Sequence, residues 1–206
     1  MPRKFGEIAF TPEVQAAQTD RGSRETYERY IANGPDNDSI TPQLAQFIAS
    51  LEGFYLGTVG SNGYPYIQFR GGPPGFLKVL NEKTLGFADF AGNVQYITVG
   101  NLSSNPKAFL FLMDYHHRKR VKIWGQAEFI EGDSPWIAQL QMPGYPAKIE
   151  RAILFHVEAH SENCPQHIPI RYSEAEVESR LAPLRDRIAE LEQQLGQSPS
   201  PSQQYS

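Results

Sequence analysis

The sequence predicts a mainly β protein: a small barrel of six or seven short strands, with flanking helices and a C-terminal amphipathic helix. Between Phe54 and Glu131, short apolar stretches alternate with turns rich in Gly, Asn and Pro. That spacing is the mark of a barrel or sandwich. The connections are also short. A doubly wound parallel sheet needs a long crossover helix between successive strands, and the chain has no room for one. Near the C-terminus, Val177, Leu181, Leu184, Ile188, Leu191 and Leu195 recur at steps of four and three, the seam pattern of a packed helix.

Residues 1–40 read as a polar, irregular extension, with one helix over Arg21 to Ile31 carrying Tyr27, Tyr30 and Ile31 on a weak apolar face. The run GPDNDS at 34–39 is a loop. Thr41-Pro42 opens a helix, because a hydroxyl caps the first free N–H groups and proline suits the first helical position. Leu44, Phe47 and Ile48 give it an apolar stripe, and Gly53 is the expected stop. Phe54 to Val59 and Tyr66 to Phe69 form a hairpin about Ser61-Asn62-Gly63, residues that tolerate positive φ. The run GGPPG at 71–75 cannot be regular strand, since proline lacks the donor. Extended chain resumes over Phe76 to Leu80, turns at 81–83 and returns over Thr84 to Ala88. Residues 93–105 stay open between strand, short helix and loop, ended by Asn105-Pro106. Lys107 to Met113, Val121 to Ile130 and Ile149 to Ala159 are the remaining strands, with a short helix at Ser134 to Gln141 capped by Ser134 ahead of Pro135.

Ser173 and Glu176 form a capping box ahead of the last helix. Pro183 sits inside that helix and removes one backbone donor. Its apolar stripe packs either on its own domain or on a second subunit. The expected organisation is therefore an extension (1–40), a barrel domain (41–170), a C-terminal helix (171–195) and a disordered polar tail (196–206).

Composition narrows the function. With 206 residues and 40% hydrophobic content, one domain can bury a sizeable core. A net charge of −4 argues against a general nucleic-acid surface. No stretch reaches the length of a membrane span, and the N-terminus lacks the apolar core of a signal peptide. The single cysteine, Cys164, excludes an internal disulfide framework. A cytoplasmic protein is the expectation.

The chain lacks a P-loop and GxGxxG. His116-His117 has no partners at metal-site spacing. His156, Glu158 and His160 share one strand face near His167 and Cys164, which is either a zinc site or a solvated face; no metal is the expectation. Cys164 reads as a small buried apolar residue rather than a nucleophile. The run Arg118, Lys119, Arg120, Lys122 is either an exposed turn or a phosphate grip. Arg70 ends a strand among Tyr66, Phe69 and Phe76, where a guanidinium requires an anionic partner: a ligand or a rim salt bridge. Gln68 shares its face. Asp89, Asn93 and Gln95 follow the next strand, and amides read the edge of a planar heterocycle by donating and accepting together.

The segments FYLGTVGSNGYPYIQFRGG, GFADFAGNVQY, GNLSSNPKAFLFLMD, RVKIWGQAE and NCPQHIP together resemble the pyridoxamine 5'-phosphate oxidase family, over roughly residues 45–170, and within it the pyridoxamine-phosphate-oxidase-related branch. The resemblance implies a six-stranded FMN-binding split β-barrel, a homodimer with FMN at its interface. It implies Arg70 and Lys78 as the arginine and lysine of the first cofactor strand. Ala88-Asp89 and Gly92-Asn93 occupy places similar to the family's phosphate-gripping segments, but the Arg-Lys pair found there is absent. Arg120 matches a ring-proximal glutamine and would stabilise negative charge on a reduced flavin. Gln166 and His167 would approach the ring. The Arg- and Trp-rich C-terminal segment of the oxidase itself is missing, so a vitamin B6 substrate is not supported.

The resemblance thus implies an FMN-dependent oxidoreductase acting on a small-molecule substrate, with no catalytic side chain of its own. The cofactor residues would be Gln68, Arg70, Asp89, Asn93, Gln95 and Arg120, joined by Lys78, Asn101 and Lys119. The alternative is a non-catalytic dimeric split-barrel module that binds flavin or another small anion.

Overall fold

The computed structural model describes residues 3–163 and 165–197. Its elements run α1 (Lys4–Ala9), α2 (Pro12–Asp20), α3 (Arg24–Asn33), α4 (Pro42–Ala49), β1 (Gly53–Val59), β2 (Pro65–Gly71), β3 (Lys78–Asn81), β4 (Thr84–Phe90), α5 (Ile97–Ser104), β5 (Lys107–Asp114), β6 (Lys119–Ile130), α6 (Pro135–Leu140), β7 (Ile149–Asn163) and α7 (Glu174–Gln197).

The strands form one antiparallel sheet in the order β2-β1-β5-β6-β7-β4-β3, curled into a split barrel. It has seven strands rather than six. At one edge β3, four residues long, pairs on β4 after the Gly/Pro run 71–75. Alternation along β1 and β5 sends Phe54, Leu56, Leu110 and Leu112 inward. Phe54 stacks on Phe76 with centroids 5.6 Å apart and meets Phe87 edge-on at 5.1 Å. Phe76 belongs to the β2–β3 connection, so this loop seals the core beside the split.

Local signals form as expected. Thr41 Oγ1 accepts from Leu44 N at 3.2 Å, and Ser134 Oγ from Trp136 N at 3.3 Å. The Ser173–Glu176 capping box closes in both directions, at 2.7 and 3.3 Å. Gly63 turns the β1–β2 hairpin at φ 82°. Gly125 marks a register shift between β6 and β7. A Cβ there would lie 2.0 Å from the His156 carbonyl oxygen, so only glycine admits this approach.

Several expectations are corrected. The helix expected over Arg21 to Ile31 forms as α3, but the residues before it are not irregular: they form α1 and α2, held by aromatic contacts instead of a continuous stripe. Phe5 meets Phe10 at 5.2 Å and Trp124 on β6 at 5.2 Å, and Phe10 meets Tyr27 at 5.4 Å. Gly53 does not stop α4; the helix ends at Ala49 and Gly53 opens β1. The 93–105 segment resolves into a loop and α5. The last helix accommodates Pro183 and continues through Gly196 and Gln197, two residues into the expected tail. Cys164 and residues 198–206, including the rest of that tail, lie outside the described residues.

Candidate functional site

The split between the two ends of the sheet is bridged by side chains. Alternation on β2 places Tyr66, Gln68 and Arg70 on one face, opposite Thr58, Leu56 and Phe54 of β1. Because β2 is an edge strand, these side chains reach beyond the sheet toward β4 and α5. Arg70 Nη1 donates to Asp89 Oδ1, and its Nη2 donates to Thr98 Oγ1 at 3.1 Å. Thr98 in turn donates to Gln68 Oε1 at 3.3 Å, which also accepts from the Tyr66 hydroxyl at 3.2 Å. Gln68 Nε2 donates to nothing among the described residues.

Asp89 faces Arg151 across the β4–β7 ladder. Its second oxygen accepts from Arg151 Nη1 at 2.7 Å. Arg151 also donates to Glu131 at 3.1 Å and Glu150 at 3.0 Å. Asp89 is 3% exposed, so each carboxylate oxygen is spent on a guanidinium. Burial pulls the Arg70 guanidinium below its ordinary pKa and the Arg151 charge adds to this, with Asp89 opposing. Arg151 moves up: burial lowers it, but Asp89 and Glu131 together outweigh that. Arg70 is thus the less compensated of the two, and its Nε is buried without an acceptor.

Around this cluster lies a cleft lined by Tyr66, Gln68, Arg70, Asn93, Gln95, Tyr96 and Thr98. The loop that carries it is strained, with Val94 at φ 53° and Tyr96 at φ 52°. Asn93 accepts from the Gln95 backbone N–H at 3.2 Å, which holds the loop's shape. The enclosed space is about 40 Å3, room for a water molecule. A second hollow of about 170 Å3 lies on the other side of the Arg70–Asp89 pair, against Phe76 and Phe90. Ligand sites commonly enclose about 300–1,000 Å3.

The sequence candidates divide accordingly. Gln68, Arg70, Asp89, Asn93 and Gln95 meet at this cleft. Lys78 does not reach it, because its Nζ donates to the carbonyls of Gln139 at 2.6 Å and Gln141 at 3.3 Å, at the C-terminal end of α6. Asn101 donates to Thr58 Oγ1 at 3.0 Å and pins α5 on β1. Lys119 lies 4.8 Å over the Phe47 ring and 3.4 Å from Glu162. Arg120 stands on the outer face of β6, opposite Met113, with Nε buried and unpartnered. Burial and Arg120 push the neighbouring Lys122 below its ordinary pKa. Gln166 and His167 do not line the cleft. Arg151, Thr98 and Tyr96 do, and sequence reasoning missed them. The one signal for Arg151 was a charged pair, Glu150-Arg151, just ahead of the apolar run Ala152 to Phe155 of β7.

The histidines are engaged separately. His156 pairs with Glu128 at 3.0 Å, His160 with the Ser39 carbonyl at 3.1 Å, and His116 with Glu176 at 2.8 Å. Among the described residues, no three His, Cys, Asp or Glu side chains are placed to hold a metal ion.

A single antiparallel split barrel with an ion cluster and amides at its seam defines the class of protein. The pyridoxamine 5'-phosphate oxidase family model matches residues 40–157, more than half of the chain, and the chain belongs to that family. No curated protein matches it. Solved structures that it resembles include a putative pyridoxamine 5'-phosphate oxidase from Lactobacillus delbrueckii (18% identity, TM-score 0.48, 60% of this chain and 94% of that one). They also include an FMN-binding protein from Syntrophomonas wolfei (12%, 0.46, 71% and 97%) and HupZ from Group A Streptococcus (18%, 0.47, 65% and 99%).

The residues present fit a flavin unevenly. Gln68 Nε2 is a free donor beside two tyrosines, which suits a carbonyl or ring nitrogen of a planar heterocycle. A phosphate does not fit the Arg70–Asp89–Arg151 cluster, because its two guanidiniums already face three carboxylates.

Proposed function

We propose that this protein is a flavin-dependent oxidoreductase of the pyridoxamine 5'-phosphate oxidase-related type. It would act in the cytoplasm, as a homodimer, on a small-molecule substrate. The carrying observation is the convergence of Gln68, Arg70, Asn93 and Gln95 at one seam, where a free amide donor stands beside Tyr66 and Tyr96. FMN is the flavin that the sequence likeness implies. A bound flavin would supply the redox chemistry, so the protein needs no side-chain nucleophile of its own. The chain's part is to orient the ring through Gln68 and to hold the 91–96 loop over it.

A second subunit completes the site in this reading. The outer face of β2, β1 and β5 carries Ile67 (68% exposed), Phe69 (57%) and Tyr55 (36%) beside Phe109 and Phe111. They surround an almost wholly apolar hollow of about 390 Å3. The stripe of α7 is equally bare, with Leu184 at 59% and Ile188 at 55% exposed. Exposed apolar surface of this extent marks an association site. No described helix is long and apolar enough to cross a membrane.

The test is an absorbance spectrum of the protein, purified and then loaded with flavin, between roughly 350 and 500 nm. A yellow protein that bleaches with dithionite supports the reading. A colourless protein that no flavin stabilises points instead to the non-catalytic module.

A further inference from the structure

We propose that Asp89 is a built-in counter-ion that takes the anion position between Arg70 and Arg151, so that the cleft selects an uncharged planar heterocycle, the flavin without its phosphate. This rests on the flavin reading above and sets the ligand class of that site.

Geometry carries the first part. Asp89 is 3% exposed, and its two oxygens are taken by guanidiniums from two other strands, β2 and β7. A carboxylate with both oxygens on arginine is the arrangement by which arginines bind an external phosphate. Here the anion is part of the chain. Glu150 at 3.0 Å and Glu131 at 3.1 Å complete the shell of Arg151, so the cluster as a whole, two guanidiniums against three carboxylates, has no net positive charge for a further anion.

Charge balance carries the second part. A phosphate monoester brings about two negative charges at neutral pH, into a cluster already holding three carboxylates against two guanidiniums. The first turn of α5 also borders the cleft. A helix N-terminus supplies roughly half a unit charge, less than the full charge of Asp89 opposing it. The other cations considered for a phosphate are spent elsewhere or stand on another face: Lys78 on carbonyls near α6, Lys119 on Phe47 and Glu162, Arg120 on the outer face of β6.

The donor left over points the same way. Both terminal nitrogens of Arg70 are committed, so the paired fork that recognises phosphate is not on offer. The Nε–H of Arg70 is buried away from the surface, so what remains is the Nε2 of Gln68. An amide N–H donor matches a carbonyl or ring-nitrogen acceptor of a neutral heterocycle.

The experiment compares riboflavin, FMN and inorganic phosphate, each at constant ionic strength, on the full chain and on Asp89→Asn, by thermal shift and fluorescence titration. For the native chain the two flavins should bind within about threefold of one another, and phosphate alone should leave Tm unmoved. In Asp89→Asn the internal negative charge is gone while the packing is kept, so the two guanidiniums regain net positive charge: phosphate should raise Tm, and FMN should gain at least about tenfold over riboflavin. FMN binding the native chain more than about tenfold tighter than riboflavin would overturn the inference while leaving the flavin reading intact. An Asp89→Asn protein that folds and ignores phosphate would also overturn it. If neither flavin binds the native chain, the functional reading falls, and the selection argued here falls with it. If Asp89→Asn does not fold, the riboflavin-to-FMN ratio of the native chain decides alone.

Discussion

Arg70 on β2 and Asp89 on β4 form a buried ion pair across the split in the barrel, although four strands separate β2 from β4 in the sheet. The pair does across the seam what backbone hydrogen bonds do elsewhere, and it places the functional cleft beside that closure. Stability and ligand binding therefore draw on the same side chains.

Asp89→Ala should be more damaging than Arg70→Met. The first leaves two guanidiniums facing each other and should cost about 3–5 kcal/mol, the usual penalty for orphaning a buried charge. The second leaves Asp89 its bond to Arg151 at 2.7 Å and should cost roughly half as much. Urea denaturation of both single variants and the double variant checks this. The double variant should be less destabilised than the sum of the singles, because the two residues share one interaction.

Acid should loosen the attachment of the N-terminal extension. Burial pushes the His160 pKa below its ordinary value of 6.5, and Arg3 adds to this against Ser39, Glu162 and Asp38. Its Nδ1 is buried without a partner, so the added proton has no acceptor. The folded state thus prefers the neutral ring. The stabilisation is full above pH 6.5 and is lost as the pH falls from there through the lower folded value. The urea midpoint of the native chain should drop over that interval, and His160→Gln should flatten the drop. An unchanged slope in the variant would exclude His160 as its origin.

Gly125→Ala should destabilise the barrel by at least about 2 kcal/mol, the range of overpacking in a rigid site. The new Cβ would meet the His156 carbonyl oxygen, and both are backbone-fixed. Chemical denaturation gives the number. Gly132→Ala, where nothing lies within 4 Å of the added carbon, is the contrast: only its φ of 80° opposes the change.

Association should respond to single charges on either bare apolar surface. Phe69→Glu on the outer sheet face and Ile188→Glu on α7 should each weaken self-association by about a hundredfold or more, since a buried unpaired carboxylate is expensive. Sedimentation velocity reads the outcome, with near-UV circular dichroism confirming an intact barrel. If both variants sediment as the native chain does, these surfaces are not the interface.

Much of the fold was legible because the deciding interactions are local. The Thr41, Ser134 and Ser173–Glu176 caps each bond within three residues. The Gly63 turn depends on one residue's freedom at positive φ. Strand alternation is likewise a local pattern, visible in β1 and β5 without knowing their neighbours. The first two N-terminal helices escaped because that segment is anchored by isolated rings such as Phe5 on Trp124, 119 positions apart, and not by a periodic stripe.

The site was legible by residue type and not by pairing. Gln68, Arg70, Asp89, Asn93 and Gln95 stood out as polar groups at strand ends, and they do lie together. Lys78, Lys119 and Arg120 stood out equally and lie elsewhere, because a charge in the sequence does not say which partner it meets. By itself, the sequence determined the β-rich rhythm, the caps, the turns and the chemical inventory. Only the tertiary structure decided that β7 lies beside β4 and that β2 reaches across the seam. That arrangement sets Asp89 between Arg70 and Arg151. The physical reason is that Coulomb interaction acts through space and desolvation follows from burial, and both distances were set by long-range strand order.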